Sequence, residues 1–151
     1  MRQIGIIIPA LYSQQLVYET CIGIQKAISN QLDCTIFFED YAPLMIRPAC
    51  GLMHVSELYS FNGILISTNL NNTKLALNIP LPSKKIFYIW ELEWLKNSKD
   101  FIDNNSVYQN PQLELYTRSK SYANAIKNYS NMTAQIDTLE NIICMNHCTQ
   151  H

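Results

Sequence analysis

The sequence predicts an α/β fold, a single three-layer domain whose mostly parallel sheet of about six strands has helices on both faces. Three features carry that reading. Short runs of β-branched and aromatic residues recur without polar and apolar alternation, which suits strands buried on both faces of a parallel sheet. Segments with apolar residues at helical spacing lie between them, and strands alternating with helices imply parallel pairing. The 151 residues are 48% hydrophobic and only 15% charged. A chain of this size buries about two-thirds of its unfolded surface and needs neither metal nor disulfide for stability.

The first run, residues 4–9, is β-branched and closes on Pro9. After a loop at 10–13, Leu16, Val17, Thr20, Cys21, Ile24, Ala27 and Ile28 form one helical face that ends near Ser29 and Asn30. Residues 34–38 make a second strand with Glu39 and Asp40 at its carboxyl end, completing a right-handed strand-helix-strand unit. Pro43 and Pro48 bracket a loop, and 53–59 reads as one or two helical turns. A third strand spans 63–67. Asn71 or Asn72 then caps a short helix over 73–78, stopped by Pro80 and Pro82. The fourth strand covers 86–90, followed by a turn or short helix at 91–95 and a polar surface loop at 98–111. A fifth strand at 113–116 leads to Ser119 as the N-cap of a helix carrying Tyr122, Ala123, Ile126 and Tyr129. The apolar group 142–145 reads as a sixth strand. The domain is expected to span 1–146, with a frayed tail at 147–151.

Composition excludes several classes. A net charge of −1 leaves no footprint for nucleic acid or a membrane surface. No run approaches the roughly 18 apolar residues of a membrane span, and the N-terminus enters a strand rather than a basic-then-apolar leader. Three of the five cysteines fall inside apolar patterns, so a reducing compartment and a cytoplasmic location are expected rather than a disulfide framework. Cys144, His147, Cys148 and His151 superficially suggest zinc. One of them is expected to point into the sheet and another is the last residue of the tail, so no metal site is expected. No cofactor is expected either: the four glycines form neither a dinucleotide fingerprint nor a P-loop.

Ligands of such sheets bind at the carboxyl ends of the strands. That rule selects five loops, at 10–13, 39–41, 67–69, 90–94 and 117–119. They contain Tyr12, Ser13, Asp40, Ser67, Thr68, Trp90, Arg118 and Ser119 as candidate ligand-binding residues. Glu91 and Glu93, flanked by Trp90 and Trp94, are the candidate catalytic residues. A carboxylate accepts sugar hydroxyl protons while an indole covers the C–H face, and it can act as general base on an acceptor hydroxyl. The same residues also fit a purely structural role, with the tryptophans in the core and the glutamates opening a short helix. Arg118 at a helix start could meet phosphate, although the favoured explanation is Ser119 as a simple cap and Arg118 as a solvated charge. Ser13 likewise suits a helix cap.

Two segments carry a resemblance: residues 84–95, KKIFYIWELEWL, and residues 113–131, LELYTRSKSYANAIKNYSN. Together they resemble the N-terminal, Rossmann-like domain of two-domain (GT-B type) glycosyltransferases, with ENIICMN at 140–146 in the place of the strand before the inter-domain linker. In size and in its Asn-rich, Gly-poor composition the chain is similar to phage-encoded sugar transferases. The resemblance implies an acceptor-side half, incomplete for catalysis without a donor-binding domain. Its implied partners are a saccharide acceptor or nucleotide sugar, and a separately encoded donor-binding domain or a second copy. A non-catalytic interaction or oligomerisation module and a small-molecule or nucleotide-binding domain are the alternatives.

Overall fold

The computed structural model describes residues 3–12, 14–41, 47–82, 84–96 and 99–145. Its centre is β1 (Gln3–Leu11), whose side chains are buried on both faces, as an unbroken apolar run requires. One sheet of seven strands holds β2 (Asp33–Tyr41), β3 (Gly51–His54), β4 (Ile64–Ser67), β5 (Lys84–Ile89), β6 (Leu113–Thr117) and β7 (Gln135–Ile136) beside it. The order is β3-β2-β1-β4-β5-β6-β7 and every pairing is parallel. The fold is therefore a Rossmann-like three-layer α/β domain. The chain first builds outward from β1 to β3, then returns to place β4 on the other side of β1. Strand order reverses there, which opens a crevice between the carboxyl ends of β1 and β4.

Even-numbered residues of β1 face one layer and Ile7 faces the other. On the first face Ile4, Ile6 and Ile8 pack with Leu16, Val17, Cys21, Ile24 and Ala27 of α1 (Gln15–Ser29) and with Leu139, Ile142 and Ile143 of α5 (Leu139–Met145). On the opposite face lie α2 (Leu70–Leu77), α3 (Phe101–Tyr108) and α4 (Lys120–Ser130). There Leu70, Val107, Tyr108 and Ile126 cover Phe87, Ile89 and Leu115. Leu58, Phe61, Ala76 and Ile79 cover Ile7, Phe37 and Leu65.

The expected sixth strand at 142–145 is a helix. Leu139, Ile142 and Ile143 stand at i, i+3 and i+4, and that face seals α1. Gly23 makes the approach possible, because a Cβ there would lie 2.6 Å from Ile143 Cδ1 and 3.1 Å from Glu140 Cα. Lys26 of α1 pairs with Glu140 at 2.9 Å across the same seam. The last strand is instead the exposed β7.

Three further expectations change. Residues 51–54 form an exposed edge strand, and the helical turns begin only at the 3₁₀ segment Val55–Ser60. The polar stretch read as a loop at 98–111 contains α3, whose inner face includes the buried amide of Asn104, an acceptor for Lys74 Nζ at 3.4 Å. The cap of α2 is Asn69, not Asn71 or Asn72: its Oδ1 accepts from the Asn72 N–H at 2.7 Å. Ser119 does cap α4, accepting from the Tyr122 N–H at 3.3 Å. Among the described residues no helix is long and apolar enough to cross a membrane.

Candidate functional site

The crevice at the strand-order reversal is a cleft of about 250 Å³, and its walls come from the ends of β1, β4 and β5. Pro9, Tyr12 and Gln14 line one side, Thr68 and Asn69 the second, and Trp90, Glu91, Glu93 and Lys96 the third. A cleft of this size is small beside pockets for drug-sized ligands and suits a molecule of monosaccharide dimensions.

The two carboxylates predicted from the WELEW segment both reach this cleft, in different states. Glu91 is exposed and forms an ion pair with Lys96, five residues on and across the 3₁₀ turn Glu93–Leu95. Glu93 turns inward, and its Oε2 accepts the Leu70 N–H at 2.6 Å, so it caps the start of α2 from another element. Burial raises its pKa; the Leu70 hydrogen bond and nearby lysines oppose the shift and Glu91 adds to it. Its other oxygen has no hydrogen-bond partner among the described residues. Behind it stands Tyr108, fully buried, with a hydroxyl that has no partner either. Burial pushes that phenol well above its ordinary value, and the Glu93 charge pushes further.

Trp90 forms one aromatic wall. The Arg118 guanidinium lies 4.8 Å from its ring centre and 5.1 Å from that of Tyr122, and Arg118 also donates to the Tyr122 hydroxyl at 3.2 Å. The structure therefore brings Arg118 to Trp90 as a stacking cation rather than to a bare helix N-terminus. Ser119 belongs to the same turn, but its hydroxyl is taken by the α4 cap and by Ser121 at 3.0 Å. Trp94 points away from the cleft, into an aromatic cluster where it stacks on Tyr129 at 4.2 Å and meets Tyr108 edge-on.

The remaining predicted residues divide. Tyr12 lines the cleft and is 47% exposed. Thr68 lines it too, while its hydroxyl donates to the Ile7 carbonyl at 2.8 Å, tying β4 to β1 at the mouth. Ser67 is buried inside β4, with its hydroxyl 2.7 Å from that of Thr73 and 3.3 Å from the Ile86 carbonyl, so its polar group serves the fold. Asp40 lies within β2, which runs on to Tyr41, and it is exposed away from the cleft. Ser13 lies outside the described residues, as do His147, Cys148 and His151. Cys144, expected to enter the sheet, sits on α5 with its thiol 3.7 Å from the Gly23 carbonyl.

Sequence reasoning missed Gln14, Asn69 and Lys96. Asn69 was legible as a cap two residues after the third strand, and Lys96 as a basic residue following two glutamates. Among the described residues no group of three or more His, Cys, Asp or Glu side chains is placed to hold a metal ion. No protein-family model matches the chain, and no curated protein or solved structure does so either.

Proposed function

We propose that the cleft holds a saccharide hydroxyl group and that the domain is the acceptor side of a glycosyltransferase-like protein, working in a reducing cytoplasm beside a donor-binding domain. The observation that carries this reading is the convergence of Glu91, Glu93 and Trp90 on one monosaccharide-sized cleft at the strand-order reversal. Tyr12 and Trp90 offer apolar faces to a sugar ring, and Asn69, Glu91 and Lys96 offer hydrogen bonds to its hydroxyls. Glu93 is the better general base of the two carboxylates. It is half-buried, its pKa is raised, and its position is fixed by the Leu70 N–H. A carboxylate with basicity nearer neutrality removes a hydroxyl proton more readily.

Titrating monosaccharides, nucleotide sugars and free nucleotides while following tryptophan fluorescence tests the proposal. Saccharides or nucleotide sugars should perturb Trp90, and Glu91→Ala or Glu93→Gln should weaken that response. No response to any sugar, or unchanged binding in both variants, would sink it. A response to free nucleotides alone would point to a nucleotide-binding domain. A second reading, a non-catalytic interaction module, is favoured by the exposed Leu95 (74%) and Ile102 (81%) near the aromatic cluster that Phe101 joins at 5.0 Å from Tyr129. A stable dimer that loses no affinity for itself when the cleft is mutated would support that reading.

A further inference from the structure

We infer that Cys34 and Cys50 form a redox-modifiable thiol pair that closes to a disulfide and ties the edge strand β3 to β2. The register places them together. Thr35 and Gly51 are the Cα partners that open the parallel β2–β3 ladder, Cys34 and Cys50 each immediately precede that pair, and Cys34 is close enough to act electrostatically on Cys50. Neighbouring strands lie about 4.7–4.9 Å apart, inside the roughly 4.4–6.8 Å Cα separation that a disulfide spans. Both side chains pack against the cluster under α1 and α5, so they share a face of the sheet. Both also line one open cleft of about 370 Å³ at the amino ends of these strands, remote from the switch-point cleft and reachable by a small reagent.

The surroundings slow the pair's exchange chemistry near neutral pH. Asp33 on β2, Cys21 on α1 and Cys144 on α5 are the titratable groups that act on the two thiols, and none is a cation that would favour a thiolate. Burial is the main cause that pushes Cys34 up to about 11 and Cys50 up to about 12. Exchange is therefore slow near neutrality and speeds up as pH rises, roughly tenfold per unit while thiolate remains the minor form.

The oxidant is a low-molecular-weight disulfide. Cys50, the more exposed of the two, loses its proton and attacks one sulfur of that disulfide. The S–S bond breaks and one small thiolate leaves. Cys34 then loses its proton and attacks Cys50 Sγ in the mixed disulfide, forming the Cys34–Cys50 bond and releasing the second small thiolate. Two protein thiols are oxidised and one small disulfide is reduced to two thiols, which take up the two protons.

The test incubates the full chain with oxidised glutathione at mildly alkaline pH, then maps peptides by mass spectrometry without reduction. The expected product is a Cys34–Cys50 cross-linked peptide with no retained glutathione, reversed by dithiothreitol. Cys34→Ser should stop at glutathione held on Cys50. In the oxidised wild type, amide exchange of Gly51–His54 should slow severalfold. A cross-link through Cys21 or Cys144, glutathione retained on the wild type, no reaction at all, or unchanged exchange in β3 would each overturn the inference. The wild-type peptide map decides the question even if the Cys34 variant does not fold.

Discussion

Replacing Glu93 separates its structural work from its chemistry. Its Oε2 accepts the first N–H of α2 at 2.6 Å, so Glu93→Ala leaves that donor unpaired and removes negative charge from a helix N-terminus. A hydrogen bond to a charged group contributes about 1.5–3 kcal/mol. Partial exposure reduces the amount through solvent screening, and the desolvation already opposing ionisation reduces it further. The expected loss is about 1–2 kcal/mol, or roughly 2–8 °C in Tm for a chain of this length. Glu93→Gln keeps an acceptor for Leu70 and should stay within about 0.5 kcal/mol of wild type.

The same pair of proteins tests the electrostatics. Because the folded state raises the Glu93 pKa, it holds its proton to higher pH than the unfolded chain does. Stability linked to this group is therefore greatest at acid pH and falls as pH rises through the window between the ordinary and the raised value. Urea melts of wild type and Glu93→Gln across the acid range give a difference curve that should be flat, decline through that window, and flatten again. An Ala variant as stable as wild type, or a difference curve that rises with pH, would refute the account of Glu93.

Gly23→Ala should destabilise the chain by about 1–3 kcal/mol, since a Cβ has no room against Ile143 and the α5 backbone. The gain in helix propensity of about 1 kcal/mol does not offset this, and limited proteolysis should show α5 released first. Lys85 is buried, with its ammonium donating to the Leu77 carbonyl at 3.2 Å, and desolvation lowers its pKa. The folded state gives up this proton earlier than the unfolded chain, so stability should rise with pH from the lowered value toward the ordinary one. Lys85→Met should abolish that slope in denaturant melts, and an unchanged slope would contradict the burial argument.

How much was legible depended on whether local pattern and tertiary demand agreed. Residues of β1 and β5 read correctly because an unbroken β-branched or aromatic run has few homes other than a doubly covered strand. Ser119 read correctly because the cap and the helix it starts are adjacent in sequence. The apolar group 142–145 did not: a run of four apolar residues fits a strand or one helix face equally. The decision came from α1, where Gly23 leaves a groove that a helix fills. β7 gave no signal because both of its residues are exposed and it owes its pairing entirely to Tyr116 and Thr117. α3 was hidden because one of its inward positions is Asn104, a polar residue buried through its contact with Lys74.

The site divides along the same line. The WELEW segment announced that carboxylates and indoles reach a strand end, but the sequence does not tell which of them the fold consumes. Trp94 goes to the aromatic cluster and Trp90 to the cleft, although the two lie only a short turn apart. Ser67 and Thr68 were equally plausible at the end of β4, yet one hydroxyl is sealed against Thr73 and the other bridges β1 at the mouth. Asn69, Thr68 and Glu93 each line the cleft while holding α2 or β1 in place. A wall built from capping and bridging groups cannot shift without loosening the first turn of α2. A ligand there meets a largely pre-formed surface, and selectivity must come from the freer side chains, Tyr12, Glu91 and Lys96. On the proposed saccharide reading, variants of those three should therefore change which sugar binds while leaving the melting curve almost untouched, whereas alanine variants of Thr68, Asn69 or Glu93, which remove the capping or bridging group, should change both together.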